Sequence, residues 1–285
     1  MFDTFKNRLE ITGKLTTVTA LRISAGRSTE PIGSDLPVMK DALGKPLIPG
    51  SSFKGALRSR LESFLRGIVG NDRKLVANPA IEAEWSITSK EMNKLKESCN
   101  DDETLTQEIL NHTDLVSHLF GSPWIASKFQ VRDLTVLPET WFGQYQERDG
   151  VAIDRDTETA ADGKLYDFQV VPAGTQFEFK AVVENAAEWE LGLLMIGLHQ
   201  FETEQIPLGG GRSRGLGVVK LDTKEMLWFD YPADQPQLLL DYLKKMVMGD
   251  KSAYEDAREF KDHWVQKLID HLKSKVPNNN SEVKR

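Results

Sequence analysis

Five of the nine residues from Gly209 to Gly217 are glycine, in the order Gly209-Gly210-Gly211-Arg212-Ser213-Arg214-Gly215-Leu216-Gly217, and the tract runs straight into the strand-like Val218-Val219-Lys220-Leu221. Glycine alone adopts positive φ freely, so such a tract can turn sharply and let the backbone come close to another group. Arg212 and Arg214 make an anion the natural partner. A guanidinium matches phosphate bidentately, and backbone N–H groups can cradle the same oxygens. On that view Gly209, Gly210, Gly211 and Gly215 shape the cradle. A glycine-rich hairpin with solvated arginines explains the tract equally well. A Walker loop does not, because Gly-Lys-Ser/Thr is absent and a strand follows instead of a helix.

Net charge argues against a polyanion partner at first sight, since the 285 residues sum to −7. The charge is unevenly spread. Residues 1–66 hold eleven Lys/Arg against six Asp/Glu, so the remainder is far more acidic than the whole. A basic segment on an acidic chain is expected where one local surface meets nucleic acid. No apolar run reaches membrane-spanning length and no secretory leader is evident, which points to a cytoplasmic protein without a membrane partner. A lone cysteine, Cys99, excludes an intramolecular disulfide and fits a reducing compartment.

Alternation of Leu9, Ile11 and Leu15 with polar residues predicts a half-buried strand, with a possible break before Leu21–Ile23. Residues 24–45 read as a loop. A helix follows Ile48-Pro49-Gly50, with Ser51 or Ser52 as N-cap, Gly67 as C-cap and an apolar stripe of Phe53, Leu57, Leu61, Phe64 and Leu65. Lys54, Arg58 and Arg60 lie off the stripe, and a helix start with serines and cations suits phosphate. A capped amphipathic helix with solvated cations remains the plain alternative. Residues 68–118 read as a charged, largely helical insertion, and 129–136 as a strand. Residues 141–165 form a long polar stretch. Strands over 166–171 and 176–183 flank a Pro-Ala-Gly-Thr turn, and a helix spans 189–201. Strand, helix, strand, strand, helix, strand is the split βαβ order of an α+β, ferredoxin-like domain. Residues 223–285 are expected as an appendage with helices over 237–248 and 253–275 and a disordered tail.

Several strings carry a family resemblance: Asp35-Leu36-Pro37-Val38-Met39-Lys40-Asp41, Ile48-Pro49-Gly50-Ser51-Ser52-Phe53-Lys54-Gly55-Ala56-Leu57-Arg58, Leu119-Phe120-Gly121, Val151-Ala152-Ile153-Asp154-Arg155, Phe168 to Thr175, and the glycine tract. Together they resemble the RAMP superfamily, and within it the backbone subunit of type III CRISPR effector complexes. The resemblance covers about residues 7–222. It implies a core of the RNA-recognition-motif type (1–222), and a projecting thumb hairpin within about 140–167. The implied partners are CRISPR RNA, target RNA, other effector subunits and further copies of the chain. It further implies that Asp35 cleaves target RNA with a divalent cation such as Mg²⁺, the 2′-hydroxyl being the nucleophile. Ser51, Ser52, Lys54, Arg58 and the glycine tract would hold guide phosphates. Arg22, Arg27 and Lys40 are further RNA contacts in this reading, and Asp41 is a turn residue before Gly44.

Two alternatives stay open at this point: a catalytically inert guide-binding paralogue, and a stand-alone CRISPR RNA-processing endonuclease. None of the five histidines precedes residue 112, which disfavours the second. Cys99, His112 and His118 are too few and too loosely spaced for structural zinc.

Overall fold

The computed structural model describes residues 4–26, 36–153, 160–231 and 235–275, and for 151–153 and 160–165 it describes the backbone alone. In chain order the elements are β1 (Asn7–Thr17), β2 (Leu47–Ile48), α1 (Gly50–Val69), α2 (Ser89–Ser98), α3 (Asp102–His112), α4 (Ser117–Phe120), β3 (Phe129–Val131), β4 (Leu134–Thr135), β5 (Gln146–Ile153), β6 (Ala160–Val170), β7 (Gln176–Glu184), α5 (Glu188–Glu202), β8 (Val219–Asp230), α6 (Pro236–Val247), β9 (Glu255–Asp256) and α7 (Lys261–Lys273). The chain is thus mixed α and β around an antiparallel sheet.

That sheet has the order β3-β7-β1-β8-β9, every neighbouring pair antiparallel. Leu9, Ile11 and Leu15 of the central strand β1 are fully buried on one face. The expected break in this strand does not occur. Instead the register against β8 shifts between Thr12 and Gly13, where the Asp222 carbonyl leaves no room for a side chain. Helices α1 and α5 cover the buried face. Phe53, Leu57, Leu61 and Leu65 of α1 have no exposed surface, and the Phe53 ring sits 4.4 Å from Phe201 of α5 and 5.0 Å from Phe179 of β7. Each such burial contributes about 1.5–3 kcal/mol. Phe64 of the expected stripe is instead partly exposed at the side of α1.

The helix caps differ from expectation. Pro49 is the N-cap of α1, and the Gly50 N–H is satisfied by the Asp133 carboxylate at 2.8 Å, so Ser51 and Ser52 lie inside the first turn. Gly70, not Gly67, ends the helix, because Gly70 has the positive φ (84°) that closes the last turn.

Strands β5 and β6 leave the main sheet and pair with each other, from Gln146↔Val170 to Ile153↔Ala160, with a single parallel bridge from Phe168 to Leu36. At their root, Phe168 and Val170 pack with Ala20 and Leu216 in a small second core. Of residues 166–171, expected as a strand of the domain sheet, 166–170 therefore belong to this hairpin, and Val171 bridges Leu21.

The C-terminal segment wraps one edge of the sheet. Strand β8 continues to Asp230, so the expected boundary at 222/223 falls inside a strand whose buried positions change phase at the register shift, from Val219 and Leu221 to Met226 and Trp228. Helix α6 lays Tyr242 on Phe229, with ring centroids 3.9 Å apart, on the face away from α1 and α5. Strand β9 pairs the outer edge of β8, and α7 packs on α5 with Trp264 against Trp228 at 5.1 Å. The helix expected over 253–275 starts only at Lys261, after a turn of 3-10 helix. No helix among the described residues is long and apolar enough to cross a membrane.

Candidate nucleic-acid interface

The glycine tract folds as one 3-10 turn, Arg212–Arg214, between two left-handed glycines, Gly211 (φ 76°) and Gly215 (φ 82°). Its ends are tied to the segment after β1. The Gly210 N–H donates to the Arg22 carbonyl at 2.8 Å, and the Gly217 N–H donates to Ala20 at 2.9 Å. Gly209 lies so close to the Arg22 carbonyl that a side chain there would overlap it, whereas Gly210 and Gly215 face open space. The tract is therefore anchored at both ends, and Arg212 and Arg214 are carried outward, exposed.

Helix α1 comes beside this turn. Ser51, Ser52, Gly55 and Ser59 line one wall of a groove of about 450 Å³, and Gln205, Gly209 and Arg212 line the other. Small side chains on α1 keep the wall low. Arg60 sits on the same wall, its Nε donating to Gln200 at 2.6 Å, and its two terminal nitrogens have no other protein partner among the described residues. Arg212 forms no ion pair among the described residues. The groove thus offers hydroxyls, a helix start and two arginines, a combination suited to a phosphodiester backbone. Arg60 was visible in the sequence as a cation off the apolar stripe. Ser59, and Ser63 one turn further along the same wall, carried no signal, since a lone exposed serine has none.

Lys54 and Arg58 do not face this groove. They lie four residues apart, with Glu62 four further, on the side of α1 that meets residues 117–129. Lys54 Nζ donates to Ser127 Oγ at 2.6 Å and to the Phe129 carbonyl at 3.1 Å, and its ammonium is pushed below the usual lysine range by burial and then by Arg58. Arg58 donates to Glu62 (2.8 Å), Ser117 Oγ (3.1 Å) and the Gly121 carbonyl (3.0 Å). Both cations are engaged in holding α1 to the chain that leads into β3.

The remaining candidates gather around the hairpin root. The Arg22 guanidinium stacks over Phe168, 4.7 Å from the ring centroid. Leu36, where the described chain resumes, accepts a 3.1 Å hydrogen bond from the Gln169 N–H. Lys40 Nζ sits 4.5 Å over the Tyr145 ring. The Asp41 carboxylate accepts from the N–H groups of Leu43 and Lys45, at 2.9 and 2.8 Å, a turn role. Asp35 and Arg27 lie outside the described residues. Among the described residues no three His, Cys, Asp or Glu side chains are placed to hold a metal ion.

Comparison with known proteins places this geometry in context. The model of the RAMP superfamily matches residues 14–220. A protein of Enterococcus italicus named CRISPR system Cms endoribonuclease Csm3 is 26% identical over 216 residues, spanning 75% of this chain and 89% of its own. A protein of the same name from Methanocaldococcus jannaschii is 27% identical over 230 residues, 76% of this chain and 79% of its own. A third, from Mycobacterium tuberculosis, is 48% identical over 56 residues, 19% of this chain and 24% of its own.

Proposed function

The chain belongs to the RAMP superfamily, and from that premise we propose that it is a backbone subunit of a type III CRISPR ribonucleoprotein, binding CRISPR RNA and cleaving complementary target RNA. The observation that carries the reading is the groove between α1 and the anchored glycine turn, with Arg60 and Arg212 on its walls. The shared name of the relatives, an endoribonuclease of a CRISPR system, supports the activity.

The topology supports a ferredoxin-like core of the RNA-recognition-motif type. The order β1-α1-β3-β7-α5-β8, with β7 and β1 central in the sheet, is the split βαβ arrangement. In this reading the β5–β6 hairpin is the thumb that interrupts guide–target pairing. Asp35 is the catalytic carboxylate: it accepts the proton of the 2′-hydroxyl or orients a divalent cation, and the strained RNA backbone supplies the in-line geometry. Since the described residues provide no three-ligand cage, a cation such as Mg²⁺ would be held by Asp35 together with RNA oxygens, supplying charge neutralisation at the cleaved phosphate. The groove serines and arginines hold the guide, Arg22 and Lys40 add contacts near the hairpin root, and Arg27 is a further RNA contact in this reading. The subunit works in the cytoplasm beside other effector subunits, further copies of itself among them.

The test is cleavage of guide-complementary RNA by the assembled complex, wild type beside Asp35→Ala, with Mg²⁺ and with EDTA. The reading expects regularly spaced cuts by the wild type in Mg²⁺ only, and target binding without cutting by the variant. Equal cutting by both removes Asp35 from the chemistry. Binding without cutting by both makes the chain an inert guide-binding subunit.

A further inference from the structure

Tyr166 lies directly across β5–β6 from Gly150, and its ring occupies the space where a side chain on Gly150 would stand. Glycine at 150 lets the ring lie flat across the hairpin. From there the phenol reaches out of the hairpin and accepts a 3.1 Å hydrogen bond from Arg214 Nη1. Arg214 belongs to the glycine turn, and this is the one hydrogen bond of its guanidinium to the protein among the described residues. Two residues along the same face of β6, the Phe168 ring is 6.2 Å from Tyr166 and lies under the Arg22 guanidinium, while the Arg22 carbonyl receives the Gly210 N–H. The hairpin root and the glycine turn are therefore joined twice, through Tyr166–Arg214 and through Phe168–Arg22.

We propose that Tyr166 is a positioning residue for RNA: it holds the Arg214 guanidinium by one terminal nitrogen and leaves the other donors of the fork aimed at a phosphate, so that hairpin placement and phosphate contact are coupled. A guanidinium has five N–H donors in a fixed plane, and fixing one edge orients the rest. The phenol and the phosphate do not compete, because they use different donors. Preorganisation of a long, otherwise free side chain raises affinity by sparing the ordering cost at binding. This inference rests on the guide-binding reading of the glycine turn.

A double-mutant cycle on single-stranded RNA binding by the full chain tests it, across a series of salt concentrations. Tyr166→Phe keeps the ring over Gly150 and removes only the hydroxyl. Its affinity is expected to fall about three- to tenfold, the scale of one hydrogen bond, with the salt slope unchanged. Arg214→Ala is expected to weaken binding further and to reduce the slope by about 0.7, the value of one phosphate contact to a single strand. In the Arg214→Ala background, Tyr166→Phe should cost nothing more. Gly150→Ala, which displaces the ring without touching the hydroxyl, should reproduce the Tyr166→Phe loss and likewise lose its effect when Arg214 is absent. If Tyr166→Phe is neutral, or costs the same with and without Arg214, the positioning role is overturned. If Arg214→Ala itself leaves affinity and slope unchanged, it is the RNA reading of the glycine turn that fails.

Discussion

The backbone of Gly192 on α5 lies directly against the carbonyl of Trp264 on α7, with no room for a methyl group between them. This close crossing seats α7 on α5 and lets Trp264 reach Trp228 of β8.

Gly192→Ala should therefore destabilise the protein by about 1–3 kcal/mol, the usual cost of overpacking a rigid backbone contact. Gly67→Ala, in α1 but facing open space, should stabilise by up to about 1 kcal/mol through helix propensity alone. Urea unfolding of the two variants beside the wild type reads both signs. Equal effects would mean that α7 is not seated as described.

Arg58 is expected to act on stability and not on RNA. Removing it leaves Glu62, 7% exposed, without its main partner, and strips donors from Ser117 and the Gly121 carbonyl. Arg58→Ala should cost about 2–4 kcal/mol, as for other broken buried pairs, and leave the salt slope of RNA binding unaltered. A stable variant with a shallower slope would return Arg58 to the interface.

His118 makes the fold acid-sensitive. Burial, then the neighbouring Lys128, pushes its imidazole down to about 4. Glu190 stands 3.6 Å away, but its charge is already met by Lys128 at 2.6 Å. A histidine held neutral in the folded state contributes stability that is complete above its ordinary value near 6.5 and is lost as the pH falls from there towards 4, because the unfolded chain takes up the proton first. The loss reaches about 2 kcal/mol by pH 5. Glu190, pushed upward by burial, acts in the opposite sense, so the variant isolates the histidine: His118→Leu should flatten the decline between pH 7 and 5. An unchanged pH profile in His118→Leu would assign the acid sensitivity elsewhere.

How much of this was legible in the sequence depended on the range of each interaction. The buried stripe of α1 and the alternation of β1 are local patterns, and Phe53, Leu57, Leu61, Leu9 and Ile11 lie where those patterns put them. The capping of α1 by Asp133, 83 residues away, has no local signature. Lys54 and Arg58 look like solvated cations until residues 117–129 fold against them. The continuation of β8 was legible in Met226 and Trp228, but the shift opposite Thr12 and Gly13 interrupts the alternation where it would have been counted. The glycine tract announced a tight turn with outward arginines. Its neighbour across the groove, Arg60, is fixed by tertiary packing of α1 beside residues 205–212.

The most direct measurement of the central claim is the salt dependence of single-stranded RNA binding by the full chain, wild type beside Arg60→Ala/Arg212→Ala. If RNA runs in the groove between α1 and the glycine turn, the double variant binds more weakly and its log–log slope is shallower by about 1.4, two single-strand phosphate contacts, with the unfolding midpoint lowered no further than loss of the Arg60–Gln200 hydrogen bond accounts for. The same affinity and slope in both proteins would contradict the account and move the RNA off this surface.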